Sequence, residues 1–201
     1  MRFCKDYENG IRKTYLLHGV TGSGKTEVYM DLIDYTIKKG KSVIVLIPEI
    51  ALTYQTVMRF TRRFKEKVSI INSRLSSGER YDQFERAKNG DVTIMIGPRS
   101  ALFTPFSNLG LIVIDEEHES AYKSESVPKY HAIEVAQKRA YDTGATVVLG
   151  SATPSLESYY KAKNGTYILH KLTTREKGNL PSVSIVDLRE ELQQGNKSIF
   201  S

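Results

Sequence analysis

Residues 19–26 read GVTGSGKT, a spacing of glycine, lysine and threonine that is suited to holding phosphate groups. The glycines allow the backbone to wrap around an anion, and the amides that follow lie at the start of a helix, where negative charge is favoured. Lys25 and Thr26 then supply an ammonium for the β- and γ-phosphates and a hydroxyl for Mg²⁺. The sequence therefore predicts a nucleotide-binding loop made of Gly19, Val20, Thr21, Gly22, Ser23, Gly24, Lys25 and Thr26.

A second candidate for chemistry is the stretch LIVIDEEH at 111–118, in which carboxylates directly follow an apolar run. The carboxyl end of a buried strand is the edge of an α/β sheet where ligands bind. We expect Asp115 to hold Mg²⁺ and Glu116 to orient and deprotonate an attacking water. Acidic residues at a strand end also cap a following helix, and that alternative stays open for this stretch alone. Together with the phosphate loop, the stretch predicts hydrolysis of ATP or GTP.

Short apolar runs alternate with helical patterns along most of the chain, which predicts βαβ crossovers and a mostly parallel, doubly wound sheet flanked by helices. The runs are rich in Val, Ile and Leu, as strands buried between two helical layers are. Predicted strands lie at 15–17, 42–47, 68–71, 92–96, 111–114 and 146–149. Predicted helices lie at 25–39, 50–65, 78–88, 131–142 and 154–163. The fold class is α/β.

Two regions interrupt this alternation. Residues 117–130 form a polar insertion that carries aromatic side chains, and after Leu172 the alternation fades except for one apolar run at 183–188. We therefore expect a lead-in at 1–13, one ATP-binding domain at 14–172, and a trailing strand and linker at 173–201.

Composition narrows the class of protein. The chain has 201 residues, 29 Lys+Arg against 23 Asp+Glu, and a formal net charge of +6, which favours an anionic partner such as nucleic acid or nucleotide. Its single cysteine, Cys4, excludes a disulfide framework or a multi-cysteine zinc site within these residues. No apolar run approaches the roughly 20 residues that a membrane span needs, and the N-terminus is too polar for a signal peptide. We expect a cytoplasmic protein without a membrane partner.

Several stretches together resemble one family. Residues 115–118 match the D-E-x-H box of superfamily-two helicases, GSAT at 150–153 is similar to their third motif, and GVTGSGKT is similar to their first. Fuller strings resemble the bacterial primosomal replication-restart helicases, the PriA family, over nearly the whole chain. These strings are GVTGSGKTEVY at 19–29, IPEIALT at 47–53, RSALFTPF at 99–106, IDEEHESAYK at 114–123, YHAIEVAQKRA at 130–140 and LGSATPSLES at 149–158.

The resemblance implies a RecA-like lobe that uses ATP and Mg²⁺, with Lys25, Thr26, Asp115 and Glu116 in the roles given above. It implies that His118, Ser151 and Thr153 sense the nucleotide and relay its state to the DNA-binding surface. It also implies contacts with the backbone of single-stranded DNA, and an aromatic-rich loop at 119–131 that couples DNA contact to hydrolysis. The implied DNA contacts are Pro48, Glu49, Arg99 and Ser100, followed in the loop by Tyr122, Lys123, Lys129 and Tyr130.

For the whole enzyme, the resemblance implies 3′-to-5′ movement on single-stranded DNA, binding of branched forks, and partners among primosome and single-strand-binding proteins. The resemblance places zinc ligands and a second lobe with an arginine finger in other parts of such a protein. It also implies a bacterial, nucleoid-associated protein. A single lobe is then expected to bind nucleotide and DNA weakly and to show little ATPase activity. Two departures from the family pattern are Pro98, where relatives usually carry Thr, and the absence of Trp.

Other interpretations stay open on the sequence alone. Another superfamily-two DNA translocase would show similar motifs, and a phosphate-loop kinase for a small acceptor would share the loop. A DNA-binding module that holds nucleotide without catalysis is a third possibility. The predicted helix at 50–65 is expected to carry a basic face, which is solvated or, as an alternative, forms a track for DNA. This face holds Arg59, Arg62, Arg63 and Glu66, opposite an apolar face of Ile50, Tyr54, Val57, Met58 and Phe64. His18 is expected to be structural.

Overall fold

Seven parallel strands form one sheet in the computed structural model, which describes residues 2–174, 186–193 and 195. The strands are β1 (Thr14–Gly19), β2 (Ser42–Leu46), β3 (Val68–Ile70), β4 (Ile94–Gly97), β5 (Leu109–Ile114), β6 (Thr146–Ser151) and β7 (Ile168–Leu172). Their order in the sheet is β3-β4-β2-β5-β6-β1-β7. Because β1 and β2 are not neighbours, the chain crosses over β6 and β5 between them. Because the strands are parallel, the carboxyl ends of β1 and β5 open onto the same edge of the sheet.

Helices cover both faces of this sheet. They are α1 (Arg2–Glu8), α2 (Lys25–Lys38), α3 (Tyr54–Phe64), α4 (Ser77–Asn89), α5 (Ala132–Thr143), α6 (Leu156–Lys163) and α7 (Leu188–Gln193). One core cluster contains Phe3, Ile33 and Phe60 from α1, α2 and α3. The other contains Ala87 and Ala136, from α4 and α5. The predicted doubly wound α/β class is confirmed.

The central strands explain why the apolar runs were informative. Every residue of β5 and of β6 is buried, since helices cover the sheet on both faces. A strand in this position needs apolar side chains on both sides, so its sequence is a continuous run without alternation. The runs at 42–47, 111–114 and 146–149 coincide with β2, β5 and β6 apart from small differences at the ends.

Strand β7 and helix α1 were not predicted from the sequence. Strand β7 pairs with β1 at the edge of the sheet, and it carries His170 and Lys171 among its apolar residues. Helix α1 is too short to show a helical period, but it places Phe3 and Tyr7 against the core. Both elements depend on their neighbours rather than on a local pattern.

The helix predicted at 50–65 begins later than expected. A 3₁₀ turn at Glu49–Ala51 precedes α3, and the Thr53 side chain accepts a hydrogen bond from the Thr56 amide at the helix start. Ile50 and Tyr54 are 82% and 77% exposed, so the prediction that they belong to the apolar face is wrong. Phe60 and Phe64 are the residues of α3 that enter the core.

The trailing part of the chain is described only in part. Of the apolar run at 183–188, residues 183–185 lie outside the described residues, Val186 and Asp187 have no regular structure, and Leu188 begins α7. Among the helices that the structure describes, none has both the length and the apolar character needed to cross a membrane.

Candidate active site

The phosphate loop connects the end of β1 to the first turn of α2. Gly22 and Gly24 adopt positive φ angles of 79° and 84°, a backbone conformation that side-chain-bearing residues rarely adopt. Gly19 is needed for space, since a Cβ atom there would lie 2.5 Å from Ser23 Oγ and 2.9 Å from Leu172 Cβ. The loop leads directly into α2 at Lys25, so the unpaired amides of the first turn face the loop.

The polar groups of this loop are arranged to receive an anion. Lys25 is only 8% exposed, and its Nζ donates a hydrogen bond to the Gly19 carbonyl at 2.8 Å. Ser23 Oγ is buried and has no hydrogen-bond partner among the described residues. A buried ammonium and an unpaired buried hydroxyl beside a helix N-terminus fit the phosphates of a nucleotide.

Strand β5 brings the two predicted acidic residues to the same place. Asp115 and Glu116 line a cavity of about 260 Å³ together with Gly22, Lys25 and Thr26. The Asp115 amide donates to the Leu46 carbonyl at 2.9 Å, which continues the β2–β5 pairing to the end of the strand. Glu116 follows with a positive φ of 45°, a strained conformation for a non-glycine residue that turns the chain at the cavity.

Asp115 lies in an environment that opposes its charge. Burial raises the pKa of this carboxyl, whereas a hydrogen bond from the Tyr29 hydroxyl acts in the opposite direction. The Tyr29 oxygen lies 2.9 Å from Asp115 Oδ1. Tyr29 was not predicted as a site residue, although it is the last residue of GVTGSGKTEVY at 19–29.

Among the described residues, no cluster of three or more His, Cys, Asp and Glu side chains could hold a metal ion. Mg²⁺ in a nucleotide site does not need one, because phosphate oxygens and water supply most of its ligands. Thr26 and Asp115 offer a hydroxyl and a carboxylate within one cavity, which are the hard oxygen donors that Mg²⁺ prefers. The donor set therefore fits a magnesium–nucleotide complex.

The three residues expected to sense the nucleotide lie in one hydrogen-bonded chain. His118 Nδ1 is 2.8 Å from Ser151 Oγ, and Ser151 Oγ accepts a hydrogen bond from the Thr153 amide at 2.9 Å. His118 Nδ1 also lies 3.7 Å from Glu116 Oε2. The structure thus joins the ends of β5 and β6 beside the candidate base.

Most of the residues expected to contact DNA gather around a second cavity. This cavity has a volume of about 370 Å³, and its lining includes Pro48, Glu49, Arg99, Ser100 and Tyr122. Pro48 itself is buried. Glu49 accepts a hydrogen bond from the Ser73 amide at 2.8 Å, and its pKa is lowered by hydrogen bonds from Ser73.

Arg99 is tied to the insertion rather than extended into solvent. Its Nη1 donates to the Lys123 carbonyl at 2.7 Å and to the Ala121 carbonyl at 3.2 Å. The guanidinium therefore holds the start of the aromatic-rich loop against the 3₁₀ turn at Arg99–Phe103.

One expected DNA contact is wrong. Tyr122 is 1% exposed, and its hydroxyl donates to the carbonyls of Leu46 and Asp115 at 3.1 and 2.7 Å. A ring buried in this way cannot stack on a nucleic-acid base, so Tyr122 anchors the loop to the ends of β2 and β5. The sequence could not show this, because an aromatic residue in a polar insertion has the same local pattern whether it points inward or outward.

The other loop residues expected to contact DNA remain accessible. Lys123 and Lys129 are exposed, and Tyr130 is half-buried with its ring 5.5 Å from that of Phe103. A bridge between Lys123 and His131 closes the loop at its base. The loop thus presents two cations and the edge of an aromatic pair.

Comparison with known proteins identifies the family. The family model described as DEAD/DEAH box helicase matches residues 5–162. The chain belongs to the DEAD/DEAH box helicase family. This membership favours the helicase expectation over that of a phosphate-loop kinase.

Two similar relatives carry the same name. The chain is 55% identical over 190 residues to the Bacillus subtilis protein named replication restart protein PriA, covering 94% of this chain and 24% of that protein. It is 52% identical over 193 residues to the Synechocystis protein of the same name, covering 92% of this chain and 23% of the relative. The chain therefore spans about a quarter of the length of these curated relatives.

Solved helicase structures share the fold. The helicase domain of Pyrococcus furiosus Hef aligns with a TM-score of 0.59 at 20% identity, covering 83% of this chain and 36% of that chain. RecG bound to a three-way DNA junction aligns with a TM-score of 0.60 at 23% identity, covering 86% of this chain and 23% of that chain. The sheet and its helices are those of a RecA-like helicase domain.

Within this helicase lobe, the third carboxylate of the D-E-x-H box has a role that sequence reasoning missed. Glu117 is 2% exposed and accepts three hydrogen bonds from the start of α6. The Ser155 amide donates at 2.7 Å, Ser155 Oγ at 3.1 Å and Ser158 Oγ at 2.8 Å. Glu117 therefore ties the end of β5 to the segment that follows β6, but its donors are too distant in sequence to suggest this.

The basic face of α3 forms ion pairs with α2. Arg63 lies 2.6 Å from Asp31 and 3.5 Å from Glu27, and Arg59 lies 3.8 Å from Glu27. Both arginines remain exposed and are paired with acidic residues of α2, so this face is solvated and also carries surface ion pairs. Arg59 also lines the cavity that contains the phosphate loop and Asp115.

Proposed function

We propose that this chain is the ATP-binding lobe of an ATP-dependent DNA helicase that acts in replication restart. The observation that carries the proposal is a shared cavity at one edge of the sheet. Its lining includes Lys25, Thr26, Asp115 and Glu116. The family membership and the relatives named replication restart protein PriA support it. Residues 14–172 are proposed as the lobe, with 1–13 leading in and 173–201 leading toward a second lobe.

The geometry suits hydrolysis of a nucleoside triphosphate. The loop amides and Lys25 hold the phosphates, and Thr26 and Asp115 hold Mg²⁺, which neutralises phosphate charge when it is bound. Glu116 orients a water whose oxygen attacks the γ-phosphorus while the bond to the leaving ADP oxygen breaks. Glu116 takes the proton of that water. The hydrogen bond between His118 and Ser151 is proposed to report this event to the segment after β6.

The second cavity and the loop above it are proposed to hold the backbone of single-stranded DNA. Ser100, Lys123 and Lys129 offer a hydroxyl and cations that contact phosphates without reading sequence. The structural neighbour RecG is bound to a three-way DNA junction. For this chain, a branched DNA substrate is proposed from the resemblance to the replication-restart helicases. The remaining proposals rest on the resemblance alone. They are 3′-to-5′ polarity, partners among primosome and single-strand-binding proteins, and a cytoplasmic, nucleoid-associated location.

Little ATPase activity is proposed for the lobe by itself. In this class an arginine from the opposite lobe completes the site, and such a residue supplies about 10³–10⁵ in rate. Zinc is proposed only for other parts of the larger enzyme.

Nucleotide binding tests the proposal directly. The chain is titrated with a fluorescent, non-hydrolysable ATP analogue in Mg²⁺, and saturable binding is expected to be lost in Lys25→Ala. Lys88→Ala removes an exposed lysine from α4 and serves as the control. Equal binding by all three proteins would refute the assignment of the phosphate loop.

Hydrolysis requires the larger enzyme. In the B. subtilis relative that is 55% identical, changing the residue matched to Glu116 to glutamine is expected to abolish DNA-stimulated ATP turnover while ATP binding persists. Normal turnover in that variant would show that another group is the base.

A further inference from the structure

Tyr29 lies one helical turn after Lys25, on the same side of α2 as the residues that face the nucleotide. It is 1% exposed, so its ring is part of the core, but its hydroxyl reaches the edge of the candidate site. There it donates a hydrogen bond of 2.9 Å to Asp115 Oδ1. A single helix therefore carries Lys25, Thr26 and the donor that contacts the Asp115 carboxylate.

The backbone at Gly150 limits the positions open to this hydroxyl. A Cβ atom on Gly150 would lie 1.5 Å from the Tyr29 hydroxyl oxygen and 2.7 Å from Cζ. Strand β6 therefore passes against the ring with nothing between them. Because Gly150 has no side chain, there is room for the Tyr29 side chain, and close packing holds the ring in this position.

Asp115 is restrained on its backbone side as well. The Tyr122 hydroxyl donates to the Asp115 carbonyl at 2.7 Å, and the Asp115 amide donates to Leu46. With the main chain held in this way, the remaining freedom of the residue is rotation of its carboxylate. The Tyr29 hydrogen bond restricts that rotation by engaging one of the two oxygens.

We propose that Tyr29 is a positioning residue that orients the Asp115 carboxylate to receive Mg²⁺ together with Thr26. The inference rests on the proposed nucleotide site. A hydroxyl suits this task, because it donates one directional hydrogen bond and leaves the negative charge of the carboxylate for the metal. A cation in the same place would compete with Mg²⁺ for that charge.

Removing the hydroxyl while keeping the ring tests this role. For each protein, the affinity for a non-hydrolysable ATP analogue is measured in Mg²⁺ and in EDTA, and the ratio gives the gain due to the metal. Tyr29→Phe is expected to lower this ratio about tenfold with little change in the EDTA affinity, since outer-shell partners of metal ligands contribute about 10–100-fold.

Tyr35→Phe is the matched control. Tyr35 lies on the same helix, and its hydroxyl donates to Glu8 Oε1 at 3.0 Å, away from the site. Removing that hydroxyl is expected to leave the ratio at the wild-type value. Thermal unfolding of all three proteins is used to check that the variants are folded.

The outcomes separate this inference from the proposed function. A wild-type ratio in Tyr29→Phe would overturn the positioning role and leave the nucleotide site intact. An equal loss of affinity with and without Mg²⁺ would also overturn it, because that pattern indicates a structural role for the tyrosine. Failure of the wild-type chain to bind the analogue in Mg²⁺ would refute the proposed function itself.

Discussion

Replacing Glu117 with alanine is expected to destabilise the chain by about 3–4 kcal/mol. The carboxylate is 2% exposed and accepts hydrogen bonds from the Ser155 amide and from the hydroxyls of Ser155 and Ser158, over 2.7, 3.1 and 2.8 Å. Hydrogen bonds to charged groups contribute roughly 1.5–3 kcal/mol each, and buried donors that lose their acceptor cost about 1–3 kcal/mol. Water that enters the vacated volume forms some of the lost hydrogen bonds, so the expected loss of stability is smaller than the sum of these contributions.

The nearly isosteric change Glu117→Gln separates the effect of the charge from the effect of removing the whole side chain. The amide keeps one carbonyl acceptor but turns an NH₂ group toward donors, so a loss of about 1–2 kcal/mol is expected. Glu157→Gln is the control, because Glu157 is an exposed residue in the first turn of the same helix. That variant is expected to stay within about 0.5 kcal/mol of the wild type.

The assay is urea unfolding followed by far-UV circular dichroism. Fluorescence of the 12 tyrosines supplies a second probe, since the chain has no tryptophan, and coincident transitions support two-state fitting. A loss below about 1 kcal/mol for Glu117→Ala would refute the reasoning. It would mean that the buried carboxylate contributes no more than solvation of its donors does.

Three further outcomes are expected. Gly150→Ala places a Cβ 1.5 Å from the Tyr29 hydroxyl oxygen, so it should lower both the midpoint of thermal unfolding and the Mg²⁺-dependent gain in nucleotide affinity. An unchanged ratio would show that the ring can move without consequence. Ser76→Ala removes a capping box with Glu79 and should cost about 1 kcal/mol in urea unfolding. Binding of single-stranded DNA should weaken as salt is raised, and Arg99→Ala should weaken it further by releasing the loop; a salt slope of zero would contradict a phosphate contact.

The phosphate loop could be read from the sequence because its chemistry is local. Loop amides, Lys25 and Thr26 are adjacent in the chain, and the positive φ angles at Gly22 and Gly24 depend on residue type more than on distant contacts. The central strands were predictable for a related reason. A strand buried on both faces must be apolar throughout, so β5 is visible as a continuous run.

Pairings across the sheet were not available from the sequence. The hydrogen bond from Tyr29 to Asp115 joins residues 86 positions apart, and that from Tyr122 to Leu46 spans 76 positions. No local pattern distinguishes a tyrosine that stacks on a base from one whose hydroxyl holds a strand end. The burial of Tyr122 therefore decided against the stacking role.

The sequence by itself determined the residue types that can hold phosphates and Mg²⁺, since each lies in a short segment with its own backbone preference. Only the tertiary structure decided how the Asp115 carboxylate is held and which tyrosine holds it. It also decided that Glu117 joins β5 to α6 rather than facing the nucleotide. The physical reason is that parallel strands bring their carboxyl ends together through long crossovers, so the neighbours of a site residue come from distant parts of the chain.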